Sequence, residues 1–226
     1  MPHFGSMSLN LIITLTNEDT NAMTTVQRFD NAQHMIATLS PEQPVYCLSP
    51  KVLQQQVNCF LKGFGGTVGY AVKANPAPEV IRALSDSGIS TFDVASLAEI
   101  ELVRSIAPNA TLLYDNPIKS RTEIRRAYED FNVHSFALDD AIELQKIADI
   151  VGSDPEVELT IRFKIADATA VYDLSKKFGA DEGIAIELLQ KASALGYKTA
   201  LTFHPGSQCT DPASYTNYIV KAADIA

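Results

Sequence analysis

Short apolar segments alternate with longer amphipathic segments from residue 44 to the end of the 226-residue chain. Apolar runs of about four to eight residues bounded by turn residues are typical of buried strands, whereas apolar positions three and four residues apart are typical of helices. The pattern predicts strands at Val45–Leu48, Thr67–Val72, Ser90–Val94, Thr111–Tyr114, Val133–Leu138, Glu158–Phe163 and Thr199–His204, and helices at Pro50–Leu61, Pro78–Ser85, Ser96–Ile106, Ser120–Tyr128, Asp139–Val151 and Asp181–Leu195.

Two of the predicted helices begin with a strong start signal. Ser96 is followed by Glu99 and Ser120 by Glu123, which is the spacing of a capping box. Strands that alternate with helices of this length predict an α/β fold with parallel strands joined by crossover helices. The even strand spacing suits a TIM barrel at least as well as an open doubly wound sheet, and no Gly-x-Gly-x-x-Gly follows a strand to indicate a dinucleotide fold.

The composition excludes some classes of function. Apolar residues make up 46% of the chain and charged residues 20%, which is ordinary for a globular domain. A formal net charge of −9 argues against nucleic-acid binding, because phosphates need a basic surface. No apolar stretch is long enough to span a bilayer, and no metal-ligand set is assigned. The three cysteines, Cys47, Cys59 and Cys209, have no C-x-x-C spacing and indicate a reducing compartment.

The N-terminal segment differs from the rest of the chain. Residues 1–22 contain neither Lys nor Arg, so they lack the basic region of a signal or transit peptide. We expect them to form a disordered leader, with Met23 rather than Met1 as the native start. Residues 23–43 are interpreted as an N-terminal helical segment and residues 44–226 as the main domain. The missing targeting signal and the unpaired cysteines predict a cytoplasmic protein.

Lys73 is the most informative single residue. It ends an apolar strand and is followed by Asn75-Pro76, which stops the strand and turns the backbone. A lysine in this place can point into a pocket, where desolvation favours the neutral amine that attacks a carbonyl carbon. The alternative is an ordinary strand-end lysine whose amine extends into solvent.

Polar and ionisable residues also stand at the ends of the other predicted strands. In a barrel these positions converge on one mouth, so the residues would share a site. Taken one by one they have simpler interpretations as helix caps, surface ion-pair partners or structural residues. The set consists of Asp93, residues 114–116 (Tyr-Asp-Asn), residues 138–139 (Leu-Asp), Arg162 and His204.

His204 is followed by Pro205-Gly206-Ser207, a turn that can bind an anion through N–H groups and a hydroxyl. Together with Lys73, this arrangement suits a carbonyl cofactor that is held by the lysine, with its ring under the imidazole and its phosphate near Ser207.

Four segments of the chain form a recognisable set: 70–76 (Tyr-Ala-Val-Lys-Ala-Asn-Pro), 92–100 (Phe-Asp-Val-Ala-Ser-x-x-Glu-Ile), 176–179 (Lys-Lys-Phe-Gly) and 203–208 (Phe-His-Pro-Gly-Ser-Gln). They resemble the fold-type III, pyridoxal-phosphate-dependent amino-acid decarboxylases and stand in the order found in that family. The segment 92–100 looks most like ornithine decarboxylase. The resemblance covers roughly residues 44–226 and implies a TIM barrel of the alanine-racemase-like type with pyridoxal 5'-phosphate as cofactor.

The resemblance implies roles for individual residues. Lys73 matches the Schiff-base lysine of the family. His204 matches the histidine that stacks on the pyridine ring, and Ser207 the serine that contacts the phosphate. Asp93 and Arg162 match polar residues near the cofactor.

Two further positions bear on this comparison. Lys177 lies in the matching Lys-Phe-Gly loop, where the alternative is a solvated loop without a role in the site. Pro205 departs from the family, which usually carries an aliphatic residue there, and removes one N–H from the turn.

The implied function is decarboxylation of a basic amino acid, with L-ornithine giving putrescine and CO2 in polyamine biosynthesis. The implied assembly is a homodimer with shared active sites. Lysine, arginine, diaminopimelate and carboxynorspermidine decarboxylases of the same fold are alternatives. A non-catalytic pyridoxal-phosphate homeostasis protein or an inactive decarboxylase-like regulator is an alternative of another class.

The chain accounts for about six of the eight strands of such a barrel. The resemblance implies a glycine-rich phosphate loop, a Glu-Pro-Gly-Arg-type segment and a C-terminal β-domain with a proton-donating cysteine, and this sequence contains none of them. We therefore interpret the chain as the N-terminal part of a decarboxylase. An unclosed barrel exposes strand edges, so we expect residues 1–226 alone to be insoluble or inactive.

Overall fold

The computed structural model describes residues 11–14, 26–165 and 175–226. Within these ranges no helix is both long and apolar enough to cross a membrane. The strands are β1 (Leu11–Thr14), β2 (Val26–Phe29), β3 (Gly69–Ala71), β4 (Thr91–Val94), β5 (Thr111–Tyr114), β6 (Ser135–Leu138), β7 (Glu158–Arg162) and β8 (Lys198–Thr202); the helices are α1 (Ala32–Leu39), α2 (Pro50–Gly63), α3 (Pro78–Asp86), α4 (Leu97–Ile106), α5 (Arg121–Glu129), α6 (Ala141–Val151), α7 (Glu182–Ala194) and α8 (Pro212–Ile225), with one turn of 3-10 helix at Val72–Ala74.

The described residues divide into two compact units. One contains the residues up to Gly69 together with Asn75–Ser90, and the other contains Tyr70–Ala74 together with Thr91–Ala226. In the first unit β1 and β2 form an antiparallel pair and α2 packs against α3. The second unit contains the residues discussed below as a site.

The structure describes only part of the N-terminal segment for which predictions were made. Of the predicted leader at 1–22, the structure describes only Leu11–Thr14, and these residues are a strand rather than a disordered segment. The other residues of that prediction lie outside the described ranges, as does Met23. The segment 23–43 contains β2 before helix α1, and Phe29 and Met35 are buried together there.

A single sheet of six strands has the order β3-β4-β5-β6-β7-β8. All pairs from β4 to β8 are parallel, and each helix from α4 to α7 contacts the next helix along the chain. The predicted α/β fold with parallel strands and crossover helices is confirmed. Spatial order equals sequence order, as in a TIM barrel, whereas a doubly wound sheet reverses its order at a switch point.

The two faces of this sheet differ in polarity. Successive side chains of a strand point to opposite faces, so the pairing register assigns each residue to one of them. One face carries polar residues, among them Asp93, Thr160 and Arg162. The other face is apolar, and the following side chains on it are at most 3% exposed: Phe92, Val94, Leu112, Tyr114, Phe136, Leu138, Leu159 and Ile161.

The strand predicted at Val45–Leu48 is wrong. Only Leu48 makes an isolated bridge, and the rest of the segment has no regular structure. Pro44 and Pro50 flank it and have no N–H to donate to a ladder. Tyr46 is 94% exposed, so the apolar composition that suggested a strand does not correspond to burial here.

The predicted starts of α4 and α5 are confirmed. The Ser96 hydroxyl accepts a hydrogen bond from the Glu99 N–H at 3.3 Å. Ser120 and Glu123 form the complete capping box, in which each side chain accepts from the backbone N–H of the other residue. Two backbone donors at the start of α5 are thereby satisfied.

Helix α6 begins at Ala141, two residues after the predicted start at Asp139. Asp140, not Asp139, is the residue that caps the helix, and its carboxylate accepts from the Ile142 N–H at 2.7 Å. A capping residue needs extended backbone with its side chain turned toward the first helical turn, and Asp140 has that conformation. The carboxylate of Asp139 is left for another contact.

A buried ion pair joins the turn before α5 to helix α6. The Lys119 Nζ lies 3.1 Å from a Glu143 carboxylate oxygen, and the two side chains are 0% and 5% exposed. The same amine donates to the carbonyl oxygens of Asn116 at 2.9 Å and Ala137 at 2.5 Å. Lys146 makes a second ion pair with Glu143. Every polar group of this buried cluster is therefore paired, which is the condition for tolerating it.

Replacement of Lys119 by Met is expected to lower the free energy of unfolding by about 3 kcal/mol, because Glu143 keeps a buried charge with only Lys146 as ionic partner. The measurement is urea unfolding of the full-length protein at neutral pH. The matched control is Arg125→Met, which breaks an exposed pair with Glu129 and should cost less than about 0.5 kcal/mol. Equal losses in the two variants would contradict the prediction.

Candidate active site

The register of the parallel strands brings the polar strand-end residues onto one face. Asp93 in β4 lies opposite Leu113 in β5, and Arg162 in β7 lies opposite Thr202 in β8. Residues two positions apart in a strand share a face. Asp115, two positions after Leu113, and His204, two positions after Thr202, therefore lie on the same face as Asp93 and Arg162. The carboxyl edge of this face carries Asp93, Asp115, Asp139, Arg162 and His204.

Lys73 lies in the 3-10 turn after β3, two residues beyond the strand rather than at its last position. Its Nζ is 3.8 Å from Oδ2 of Asp93, so the structure pairs these two predicted site residues. The expected desolvation of the amine is wrong, because the Lys73 side chain is 58% exposed. Since β3 is an end strand of the described sheet, a neighbouring strand flanks Lys73 on one side only.

Asp93 and Asp115 are neighbouring carboxyl groups whose ionisation is disfavoured. Burial raises the pKa of Asp93, although the nearby cations Lys73 and Arg162 oppose the shift. Burial and the charge of Asp93 raise the pKa of Asp115 to about 6, again against the effect of nearby cations. Sequence reasoning noted Asp115 as a strand-end residue but gave it no role in the site. Its position directly after β5 was the available signal.

The backbone around Asp115 is held from both sides. The Asp115 N–H donates to the Val94 carbonyl at 3.1 Å, and the Asn116 side-chain amide donates to the Ala95 carbonyl at 3.3 Å. The buried Lys119 amine donates to the Asn116 carbonyl at 2.9 Å. The end of β5 is therefore tied to the end of β4, which fixes the backbone that carries Asp115.

Arg162 is the cation that these carboxyl groups share. Burial lowers the pKa of Arg162, while the carboxyl groups of Asp139, Asp115 and Asp93 favour its charged form. An arginine stays protonated under all ordinary conditions. The site thus has a permanent positive charge next to two carboxyl groups whose own ionisation is opposed by burial.

The imidazole of His204 is oriented by the turn that follows it. Its Nδ1 accepts a hydrogen bond from the Gly206 N–H at 3.0 Å, so the proton of the neutral ring lies on Nε2. Gly206 has a φ of +107°, a conformation that favours glycine. Pro205 supplies no N–H, and the next N–H along the chain serves the histidine. Phe203 stacks on Tyr218 at a centroid distance of 4.7 Å, which anchors the end of β8.

The charge state of His204 follows from its surroundings. Burial lowers the pKa of the imidazole, and the positive charges of Arg162 and Lys73 lower it further. The ring is therefore neutral at neutral pH and presents a flat, uncharged face. Ser207, three residues further along the chain, is exposed on the loop.

The residues present fit a planar aldehyde cofactor that carries an anionic group. Lys73 offers an amine that can form a bond to an aldehyde carbon. The neutral ring of His204 can lie against an aromatic ring. The loop after His204 offers the Ser207 hydroxyl to a phosphate, and the charge of Arg162 favours an anion nearby. The Nζ of Lys177 lies 4.9 Å from the centre of the Phe178 ring.

Replacement of Asp115 by Asn is expected to change how stability depends on pH. A carboxyl pKa raised from 3.8 to about 6 means that the folded state binds more protons than the unfolded state between these values. The stability that Asp115 contributes is therefore lost as pH rises from about 4 to about 6, and the variant should gain about 3 kcal/mol relative to the wild type over this window. Urea unfolding at several pH values measures the difference.

The matched control is Asp149→Asn on helix α6. The pKa of the Asp149 carboxyl is lowered by hydrogen bonds from Gln145 and Arg121, so its titration lies below the window and the relative stability should stay flat there. Parallel stability curves for the wild type and the Asp115 variant would refute the raised pKa.

Comparison with known proteins places these residues in a family. Residues 51–226 match the pyridoxal binding domain of the pyridoxal-dependent decarboxylases. A lysine/ornithine decarboxylase of Selenomonas ruminantium is 36% identical over 157 residues, covering 69% of this chain and 39% of the relative. An ornithine decarboxylase of Caenorhabditis elegans is 38% identical over 159 residues, covering 69% of this chain and 36% of the relative. An antizyme inhibitor 2 of Xenopus laevis is 35% identical over 156 residues, with 68% and 33% covered.

Solved structures give the same result for the fold. The arginine decarboxylase of Paramecium bursaria Chlorella virus is 27% identical with a TM-score of 0.70, over 78% of this chain and 47% of that chain. A lysine/ornithine decarboxylase of Vibrio vulnificus complexed with cadaverine is 30% identical with a TM-score of 0.71, over 86% of this chain and 52% of that chain.

The chain spans roughly a third of the length of the curated relatives named above. The α/β barrel fold expected from the resemblance is confirmed, with six of its strands described. The chain belongs to the pyridoxal-dependent decarboxylases and contains the domain with which that family binds pyridoxal phosphate.

Proposed function

We propose that the full-length protein decarboxylates a basic amino acid with pyridoxal 5'-phosphate as cofactor, and that L-ornithine is its substrate, giving putrescine and CO2. One observation carries the proposal: the Lys73 amine lies 3.8 Å from Asp93 in the group of strand-end residues that includes the neutral imidazole of His204. The similarity to an ornithine decarboxylase and to a lysine/ornithine decarboxylase supports the choice of substrate.

Three residues would hold the cofactor. The Lys73 amine would bind the aldehyde carbon, the neutral ring of His204 would lie against the pyridine ring, and the Ser207 hydroxyl would donate to the phosphate. When bound, pyridoxal phosphate supplies an aromatic ring that accepts the electron pair left as CO2 departs. The hydrogen bond from the Gly206 N–H fixes the imidazole plane, so His204 orients the ring and with it the bond that breaks.

Asp93 and Asp115 would set the electrostatic surroundings of the Lys73 Nζ. The Asp93 carboxyl group lies 3.8 Å from this nitrogen, which is close enough to act on its charge but too long for a direct hydrogen bond. Burial and the charge of Asp93 raise the pKa of the neighbouring Asp115 to about 6, so this carboxyl group takes up a proton more readily than a free one. The permanent charge of Arg162 offsets the negative charge that remains.

Other functions of the full-length protein have specific support. The similarity to a lysine/ornithine decarboxylase and to an arginine decarboxylase favours lysine or arginine as the alternative substrate. A regulator without catalytic activity is favoured by the 35% identity to an antizyme inhibitor 2. The presence of Lys73, His204 and Ser207 supports the enzyme over the inactive regulator, and the segment 203–208 (Phe-His-Pro-Gly-Ser-Gln) supports it over a pyridoxal-phosphate homeostasis protein. We further propose a cytoplasmic homodimer that acts in polyamine biosynthesis.

Borohydride reduction of the full-length protein with pyridoxal phosphate, followed by peptide mass spectrometry, is expected to find the cofactor on Lys73. CO2 release from L-ornithine is expected to exceed that from L-lysine. Replacement of Lys73 by Ala should abolish the trapping and reduce CO2 release by about 1000-fold or more, because the covalent step loses its amine.

The matched control is Lys198→Ala, which removes a lysine from the opposite, amino end of β8 and should preserve trapping and turnover. Trapping on Lys73 with no CO2 from any diamino acid would favour the regulator or the homeostasis protein. Absence of trapping would refute the assignment of Lys73.

A further inference from the structure

Asp139 makes a contact that helix capping does not explain. Its neighbour Asp140 caps α6, whereas Oδ2 of Asp139 accepts a hydrogen bond from the Gly179 N–H at 2.8 Å. The two partners are 40 residues apart in the chain. Asp139 is partly buried and lies on the sheet face that carries the site.

Gly179 lies directly against the end of β7. Its φ is +103°, and a Cβ at this position would lie 2.9 Å from the Lys164 Cβ and 3.1 Å from the Phe163 carbonyl carbon. The next residue, Ala180, donates to the Arg162 carbonyl at 2.8 Å and accepts from the Lys164 N–H at 3.1 Å. Only glycine fits here without a shift of the backbone, so this segment is held at one fixed place on β7.

Phe178, the residue before Gly179, covers the guanidinium of Arg162. The Arg162 Cζ lies 5.2 Å from the centre of the Phe178 ring, within the range of a cation–π contact. The charge of Arg162 acts on the site, because it lowers the pKa of His204 and opposes the raised pKa of both Asp93 and Asp115. A movement of this guanidinium would therefore alter the ionisation of several site residues.

We propose that Asp139 is a positioning residue for Arg162. Its carboxylate fixes Gly179, Gly179 seats Phe178 on the guanidinium, and the ring keeps the charge of Arg162 beside His204. The consequence for cofactor binding rests on the proposed function, whereas the positioning itself does not depend on it.

Two other roles for Asp139 make different predictions. If Asp139 acted only through its negative charge, Asn and Ala at this position would have the same effect, and removal of a negative charge would lower the pKa of His204. If Asp139 acted only on stability, no variant would change that pKa. Positioning requires the hydrogen bond, and an Asn side chain keeps an oxygen that can accept it.

The first readout is the pKa of His204 in the full-length protein, followed by NMR of labelled histidine and assigned with His204→Gln. Asp139→Ala and Gly179→Ala should each raise this pKa toward that of Arg162→Met, in which the positive charge is removed. Asp139→Asn should stay close to the wild type. Gly179→Ala is the sharper variant, because it breaks the contact and leaves both charges in place.

The second readout is limited trypsin digestion, with the cut sites identified by mass spectrometry. Lys176 and Lys177 are exposed and directly precede Phe178. Loss of one ordinary hydrogen bond should make cleavage after them about fivefold faster in Asp139→Ala and Gly179→Ala. The control is Asp140→Ala, which removes the cap of α6 and should change neither cleavage at these lysines nor the pKa of His204.

Several outcomes would overturn the proposal. An unchanged pKa of His204 in Asp139→Ala and Gly179→Ala would leave Asp139 with a role in stability only. An equal fall of that pKa in the Asn and Ala variants would leave a role through charge only. Both readouts are independent of cofactor and CO2 release. The positioning role of Asp139 can therefore hold where the decarboxylase assignment fails, and the decarboxylase assignment can hold where the positioning role fails.

Discussion

Parallel pairing from β4 to β8 is the constraint on which the site depends. A shift of the register by one residue would exchange the two faces of a strand. Such a shift is costly here, because Phe92, Leu112 and Phe136 are buried on one face and each contributes about 2 kcal/mol through that burial. The charged residues of the same strands are left with the opposite face. Hydrophobic burial on one side of the sheet thus determines where the chemistry of the other side can lie.

Burial and mutual charge then reduce the net charge of the site. The carboxyl pKa values of Asp93 and Asp115 are raised and the imidazole pKa of His204 is lowered, so each group is shifted toward its neutral form. Arg162 does not follow, since a guanidinium stays protonated. The outcome is a site with a permanent cation, a neutral aromatic ring and a carboxyl group whose pKa is raised to about 6. Such a site suits an anionic, planar ligand better than the count of acidic residues suggests.

Position in the fold, rather than residue type, determines which contacts several residues make. Asp139 and Asp140 are adjacent and identical, yet one contacts Gly179 and the other caps α6. Lys119 and Lys73 are both lysines near strand ends, but Lys119 is buried and paired with Glu143, whereas Lys73 is more than half exposed. Lys119 stabilises the ends of β5 and β6, where the paired residues of the ladder end. The buried lysine supports the site, and the exposed one has an amine accessible to a ligand.

The sequence by itself determined the order of the elements from α2 to β8, their parallel arrangement and most helix starts, because these follow from local periodicity and capping chemistry. It also brought Lys73, Asp93, Arg162 and His204 into one hypothesis through their predicted place at strand ends. The register accounts for Asp93, Arg162 and His204 lying on one face, and Lys73 joins them through its contact with Asp93. It failed at Val45–Leu48, where apolar composition is not accompanied by burial.

The tertiary structure alone decided the remaining features. The ionisation of Asp115 depends on the charge of a neighbouring strand, and the partner of Asp139 lies 40 residues away. The exposure of Lys73 depends on its place next to an end strand of the described sheet. None of these is written in a local pattern, since burial, charge proximity and long-range hydrogen bonds are properties of residues distant in the chain that folding brings together.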